Sequence, residues 1–267
     1  MSEALADQAA GLRRLLRRGG LRSIAVVGAG PDGDPSLATA NLAAALIRHG
    51  RAVLLVECTG RITDAFERVH AARYRQAGEP GSSGLQVLRT SFASRQDVLR
   101  LVHSLDLAAK SADILLIDAS PPADLACAAA SREVILAVSP STVGITGAYR
   151  FLKRLHNQSD RRRTFVLVHP GRSEAHAGRI FGNLSATCRR FLNLSVEYMG
   201  CIPDDERIER GARLSRPVAE ASSESASALA WDACAERLLR WPGPGDDGFA
   251  EFARRLIVAA PIALSQS

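Results

Sequence analysis

The chain has 267 residues and a mass of 28.5 kDa, room for one large domain or two small ones. Apolar residues make up 46% and charged residues 23%, which excludes wholesale disorder, and no apolar run reaches the ~20 residues that span a bilayer. Lys plus Arg is 34 against 28 for Asp plus Glu, a net charge of +6 with a pI near 9.5, carried in arginine clusters rather than in one tail. The N-terminus has no apolar signal core. Cys58, Cys127, Cys188, Cys201 and Cys234 are scattered with no Cys-x-x-Cys pair, which argues against a disulfide scaffold or a zinc finger and predicts a reduced, cytoplasmic protein.

In chain order, residues 1–18 read as an amphipathic helix. Leu5, Ala9, Leu12, Leu15 and Leu16 recur at helical spacing, and Arg13, Arg14, Arg17 and Arg18 fill the other side. Gly19-Gly20 break it, so residues 1–20 form an arm ahead of a domain spanning 21–240. A short strand, Ile24–Gly28, leads into a Gly/Pro/Asp loop and a helix over Ser36–Arg48. Ala52–Val56 is a strand, residues 60–83 an irregular or partly helical insert, and Leu85–Leu88 a short strand. A helix over Ser94–Lys110 precedes the strand Ile114–Ile117. Then come strand Val134–Val138, helix Thr142–His156, strand Thr164–Val168, helix Ala175–Leu192 and strand Val196–Ile202. Ser223–Arg240 forms the last helix of the domain, residues 241–248 a Pro/Gly linker, and residues 249–267 a separate apolar segment. Apolar strands alternating with helices of a dozen or more residues predict an α/β fold: a doubly wound, mainly parallel sheet with helices on both faces.

In such a sheet ligands sit at the carboxyl ends of the strands. The loop after the first strand is Gly28-Ala-Gly-Pro-Asp-Gly-Asp-Pro-Ser36. Gly28, Gly30, Gly33 and Ser36 suit a phosphate cradle, whose backbone N–H groups approach the anion where no Cβ intervenes. The charges do not suit it. Asp32 and Asp34 repel a polyphosphate, Pro35 has no N–H, and the two lysines of the chain, Lys110 and Lys153, lie far along the sequence. From the residues alone the loop is a tight strand-to-helix turn. Asp118 ends a strand before Pro121-Pro122, which is also ordinary turn chemistry. The six histidines show no metal-ligand spacing, and Cys127 reads as a small core residue.

Ile24–Leu46 nevertheless resembles the first strand–helix unit of the MinD/ParA class of P-loop ATPases. In that register Gly30 holds the place of the signature lysine, Pro35 that of the P-loop lysine, and Ser36 that of the Mg²⁺-binding hydroxyl; Asn41-Leu42-Ala43 matches the helix. Leu54–Glu57 resembles the switch I strand, with Glu57 and Thr59 in place of its acids. Asp113–Asp118 is similar to the Walker B strand and keeps Asp118. His169 stands where the class has the Asn that reads the base. Within the class the chain resembles the FlhG group of flagellar-number regulators, also called FleN or YlxH. The resembling residues are Asp7-Gln8-Ala9-Ala10-Gly11-Leu12-Arg13, Ser173-Glu174-Ala175, Arg190-Phe191-Leu192, Gly200–Asp204 and Arg216-Pro217-Val218.

The resemblance implies ATP and Mg²⁺ as ligands, with Gly28, Gly30, Gly33, Ser36, Glu57 and His169 around the nucleotide and Ser36 and Asp118 at the metal. The missing lysines imply that this binding is impaired or lost, leaving a pseudo-ATPase with Asp118 as a Walker B remnant. It further implies that Asp7, Gln8, Ala9, Leu12 and Arg13 engage an FlhF-like GTPase, that a flagellar master transcription regulator is a second partner, and that the chain forms a homodimer. Phe249, Phe252 and Leu256 share one face of the last segment, with Arg254 and Arg255 opposite. That pattern suits a helix lying on an anionic membrane surface, so the expected location is cytoplasmic and peripheral at the inner face of the membrane. Two readings stand beside this one: an active ATPase switch that dimerises at the membrane, and a ParA-like protein that holds DNA non-specifically. The chain carries no base-reading motif or aromatic platform, so sequence-specific nucleic acid is not expected as a partner.

Overall fold

Runs such as Ile24-Ala-Val-Val27, Leu54-Leu-Val56 and Leu115-Leu-Ile117 put an apolar side chain on both faces at every step, so they become strands covered by helices on both sides. The computed structural model describes residues 21–30, 35–58, 85–90, 92, 94–158, 163–205, 225–241 and 248–264. The strands are β1 (Arg22–Ala29), β2 (Val53–Glu57), β3 (Leu85–Arg89), β4 (Ile114–Ala119), β5 (Glu133–Val138), β6 (Arg163–Gly171) and β7 (Glu197–Pro203). The helices are α1 (Pro35–Arg48), α2 (Arg95–Ala108), α3 (Asp124–Ala130), α4 (Thr142–His156), α5 (Glu174–Leu192), α6 (Ala226–Arg240) and α7 (Gly248–Leu264). The N-terminal arm with Asp7, Gln8, Ala9, Leu12 and Arg13, Gly33 of the loop, and the insert at 60–83 lie outside the described residues.

All pairings in the seven-stranded sheet are parallel, in the order β3-β2-β4-β1-β5-β6-β7. The expected doubly wound sheet is the observed one. Alternate side chains of β1 go to opposite faces. Ile24 and Val26 pack with α1 and α6, around the fully buried Trp231. Ala25 and Val27 pack with α2, α3, α4, α5 and α7. The chain leaves β1 toward β2 on one side and passes from β4 to β5 on the other. The order therefore reverses at β1, opening a crevice at its carboxyl end.

Local chemistry sets the helix starts. Ser94 Oγ accepts a hydrogen bond from the Asp97 backbone N–H while the Asp97 carboxylate accepts one from the Ser94 backbone N–H, closing a capping box. Ser141, Ser173 and Ser225 accept from the backbone N–H of Gly144, His176 and Ala228. Asn193 ends α5 in the left-handed conformation, at φ 51°. Helix α3 departs from the sequence expectation, which places no element between the strands at Ile117 and Val134. Seven residues complete too few turns for a helical period to show, and six of them are buried.

Helix α7 is a second point of comparison. From the sequence, the apolar face of residues 249–267 either lies on a membrane or docks back on the domain. In the structure Phe252, Leu256 and Ala260 are almost fully buried within the core cluster that also holds α2 and α3. Arg255 points its guanidinium at the Ala130 carbonyl at 3.5 Å and pairs with Glu251 at 2.9 Å. Arg254 also pairs with Glu251, and the two arginines, Arg254 foremost, hold its carboxyl down at about 2. The apolar stripe is thus covered by the domain, while Arg254 faces solvent.

The amino edge of the sheet holds a buried ion cluster. Glu133, which begins β5, is fully buried and takes both a Nε and a Nη2 bond from Arg22 of β1. Arg163 of β6 approaches it to 3.7 Å and lies over the Trp241 ring at 4.7 Å from the centroid. Arg22 also donates to the Leu238 carbonyl at 2.8 Å, tying the end of α6 to the sheet.

Candidate functional site

The register brings the carboxyl ends of four strands level. Val26 lies opposite Asp118, Val27 opposite Ala119, Glu57 opposite Asp118, and Gly28 and Ala29 opposite Ala137 and Val138. Gly28, Gly30, Ser36, Glu57 and Asp118 therefore gather along one edge. His169 lies near the carboxyl end of β6, two strands from β1, half-buried with its ring 5.9 Å from that of Trp231.

Asp118 is fully buried and Glu57 nearly so. Glu57 accepts a hydrogen bond from Arg89 Nε at 3.1 Å, so its charge is answered by the neighbouring strand. Ser36 is buried in the first turn of α1. Below it Thr39 donates to the Pro35 carbonyl at 2.7 Å and Asn41 to the Leu37 carbonyl at 2.9 Å. Both side chains thus close on their own helix. Pro35 is the first residue of α1, where proline fits because that N–H has no helical acceptor anyway. The same feature removes a donor from the place where a phosphate cradle wants one.

Gly30 has φ +80°, a conformation that L side chains rarely adopt. Helix α4 presses against it: a Cβ on Gly147 would stand 2.8 Å from the Gly30 nitrogen and 2.9 Å from its Cα. Neither neighbour can yield without moving the backbone. Gly147→Ala is therefore expected to push α4 off the loop and lower stability by about 1–3 kcal/mol, as overpacking does; a thermal melt unchanged from the parent would refute the contact. A lysine at Gly30 would have to take up the same left-handed backbone, at a strain of order 1–2 kcal/mol.

Beside this contact lies an open cavity of about 560 Å³, lined by Gly28, Gly30, Pro121, Asp124, Arg150 and Arg154 among others. Burial pushes the Asp124 carboxyl up, and the nearby Arg154 opposes that shift. The two arginines, one turn apart on α4, were not singled out from the sequence. Their spacing matches an exposed helix face equally well, and only the fold turns that face toward the loop. Lys153 is exposed on the same helix, and Lys110 lies in the turn after α2. Among the described residues no group of three or more His, Cys, Asp or Glu side chains is placed to hold a metal ion.

The seven-stranded sheet has the fold of solved MinD and ParA family proteins. The MinD cell division protein of Aquifex aeolicus superposes with a TM-score of 0.59 at 17% identity, over 84% of this chain and 99% of that one. The septum site-determining protein MinD of Pyrococcus horikoshii, solved in complex with Mg-ADP, gives 0.60 at 21% over 82% and 96%. A ParA family ATPase of Chlorobium tepidum gives 0.60 at 17% over 80% and 98%. In sequence the chain is similar to the antiactivator FleN of Pseudomonas aeruginosa, 28% identical over 186 residues. That match takes in 68% of this chain and 66% of FleN, just under two thirds of its length. No protein-family model matches. No described helix is long and apolar enough to cross a membrane.

Proposed function

We propose that this chain is a regulator of the FleN kind that works through protein contacts rather than through an ATPase cycle of its own. One observation carries the reading: a FleN-like sequence surrounds a loop in which Gly30 and Pro35 hold both lysine positions. A triphosphate is bound chiefly by charge and oriented N–H groups. Here one lysine position is a glycine at positive φ pressed under α4 and the other a proline without an N–H. Arg150 and Arg154 bring charge to the adjoining cavity, but they share it with Asp124, and an arginine fork is not equivalent to a lysine reaching through the loop. The residues do not fit Mg-ATP in the manner of the class.

In this reading the arm acts in trans. Asp7 and Gln8 precede the stripe of Ala9 and Leu12, with Arg13 beside it, so a polar pair and an apolar face can enter one partner groove. The partner is an FlhF-like GTPase, and the antiactivator role implies a flagellar transcription activator as a second one. The deciding experiment measures GTP turnover by the cognate FlhF with the full-length chain added, with and without Mg-ATP. Expected is stimulation that ignores ATP and is mostly lost in Gln8→Ala. No stimulation overturns the FlhF assignment. Stimulation that requires ATP, together with a micromolar dissociation constant near −8 kcal/mol in calorimetry, replaces this reading with the ATP-switch one, which the intact Asp118 at the end of β4 favours.

Peripheral attachment to an anionic membrane belongs to the same proposal and requires α7 to leave its groove, because Phe252 and Leu256 are covered while it is docked. Sedimentation with anionic vesicles checks this, and protein that stays in the supernatant removes it.

A further inference from the structure

Among the five cysteines, two from distant parts of the chain meet sulfur to sulfur. Cys58 follows the last residue of β2 and Cys127 sits in the middle of α3, 69 positions on; their Sγ atoms are 3.6 Å apart and both side chains are about 1% exposed. The Cys58 backbone N–H bonds the Asp118 carbonyl at 3.3 Å, which fixes one partner at the edge of the sheet. Helix α3 fixes the other from above. A disulfide needs its sulfurs about 2.05 Å apart, so the two atoms are at contact distance with a gap that side-chain rotation about each Cα–Cβ bond can narrow. The other thiols differ. Cys234 turns toward the Met199 carbonyl at 3.7 Å, Cys188 is fully buried in the core, and Cys201 is partly exposed.

We propose that Cys58 and Cys127 are an oxidative modification site, closing to an intramolecular disulfide when the protein meets a small peroxide. One sulfur attacks the O–O bond and becomes a sulfenic acid, releasing one water once its proton is counted. The neighbouring thiol then displaces hydroxide from that sulfenic sulfur, forming the S–S bond and a second water. Two thiols lose two electrons and two hydrogens, and one peroxide is reduced to two waters. The hydrogen bond with Cys127, and then burial, hold the Cys58 thiol well above its usual range. This slows the first step, while contact with the partner makes the second immediate. A small oxidant matters because no bulky disulfide reaches sulfurs this buried. The cross-link would join the end of β2, beside Glu57 and Asp118, to the helix on which α7 rests.

The test is hydrogen peroxide on the native full-length protein, followed by denaturation in the presence of an alkylating agent and peptide mapping without reductant. Expected are a linked peptide pair joining Cys58 to Cys127, a fall from five free thiols to three, and recovery of all five with a dithiol reductant. Cys201, the more exposed sulfur, is the internal control. If Cys201 is oxidised while Cys58 and Cys127 both stay alkylatable, the pair is only core packing and the proposal falls. A linkage of either one to a different cysteine overturns it as well. The nearly isosteric Cys127→Ser is expected to abolish the linked peptide, and if that variant does not fold the wild-type map decides alone.

Discussion

Glu133→Ala is expected to lower the unfolding free energy by about 3–5 kcal/mol, the usual consequence of removing one partner from a buried ion pair. The carboxylate is fully buried and receives two bonds from Arg22, with Arg163 at 3.7 Å. Without it the Arg22 guanidinium, 12% exposed, keeps only carbonyl partners. The cluster joins the starts of β1, β5 and β6 and the end of α6, so the loss is expected throughout the sheet. Urea unfolding followed by circular dichroism reads it as a lower midpoint with an unchanged slope. The double variant Arg22→Met, Glu133→Leu is expected to be more stable than Glu133→Ala, because it leaves no buried charge behind. A Glu133→Ala midpoint matching the parent would mean that the pair contributes nothing net.

Leu256→Asp is expected to detach α7 while leaving the sheet folded. Leu256 is fully buried in the cluster it shares with α2 and α3, and a carboxylate placed there without a partner costs more than the contact area α7 supplies. Hydrogen exchange is the measurement: α7 and the α3 surface should lose protection by orders of magnitude, and β1, β4 and β5 should keep theirs. Uniform loss across the sheet would instead make α7 an inseparable part of the core. Protection unchanged everywhere would contradict the docked position.

The comparison of sequence with structure turns on a few residues. The strands at Ile24, Leu54, Leu115 and Val134 were legible because each is a continuous apolar run, and a parallel sheet buried on both faces needs that pattern and little else. The glycine-rich turn after β1 was legible because glycine acts through local backbone freedom. Helix α3 was not, since seven alanine-rich residues show no period. The position of α7 was left open because an amphipathic stripe records that an apolar face must be covered, not what covers it: a lipid surface and the α3 groove satisfy Phe252 and Leu256 alike.

The sequence by itself determined the α/β class, the order of its elements apart from α3, the loop that holds Gly30 and Pro35 where the resembled class has lysines, and Asp118. These are properties of spacing and residue type along one stretch of chain. Only the tertiary structure decided that α4 presses Gly147 onto Gly30, that Arg150 and Arg154 share a cavity with Asp124, that Arg22 meets Glu133, and that Cys58 touches Cys127. Each of those contacts joins residues from different elements, more than a hundred positions apart for Arg22 and Glu133. The register of the sheet and the packing of helices on it set the distance between them, and nothing in the local pattern of either partner encodes it.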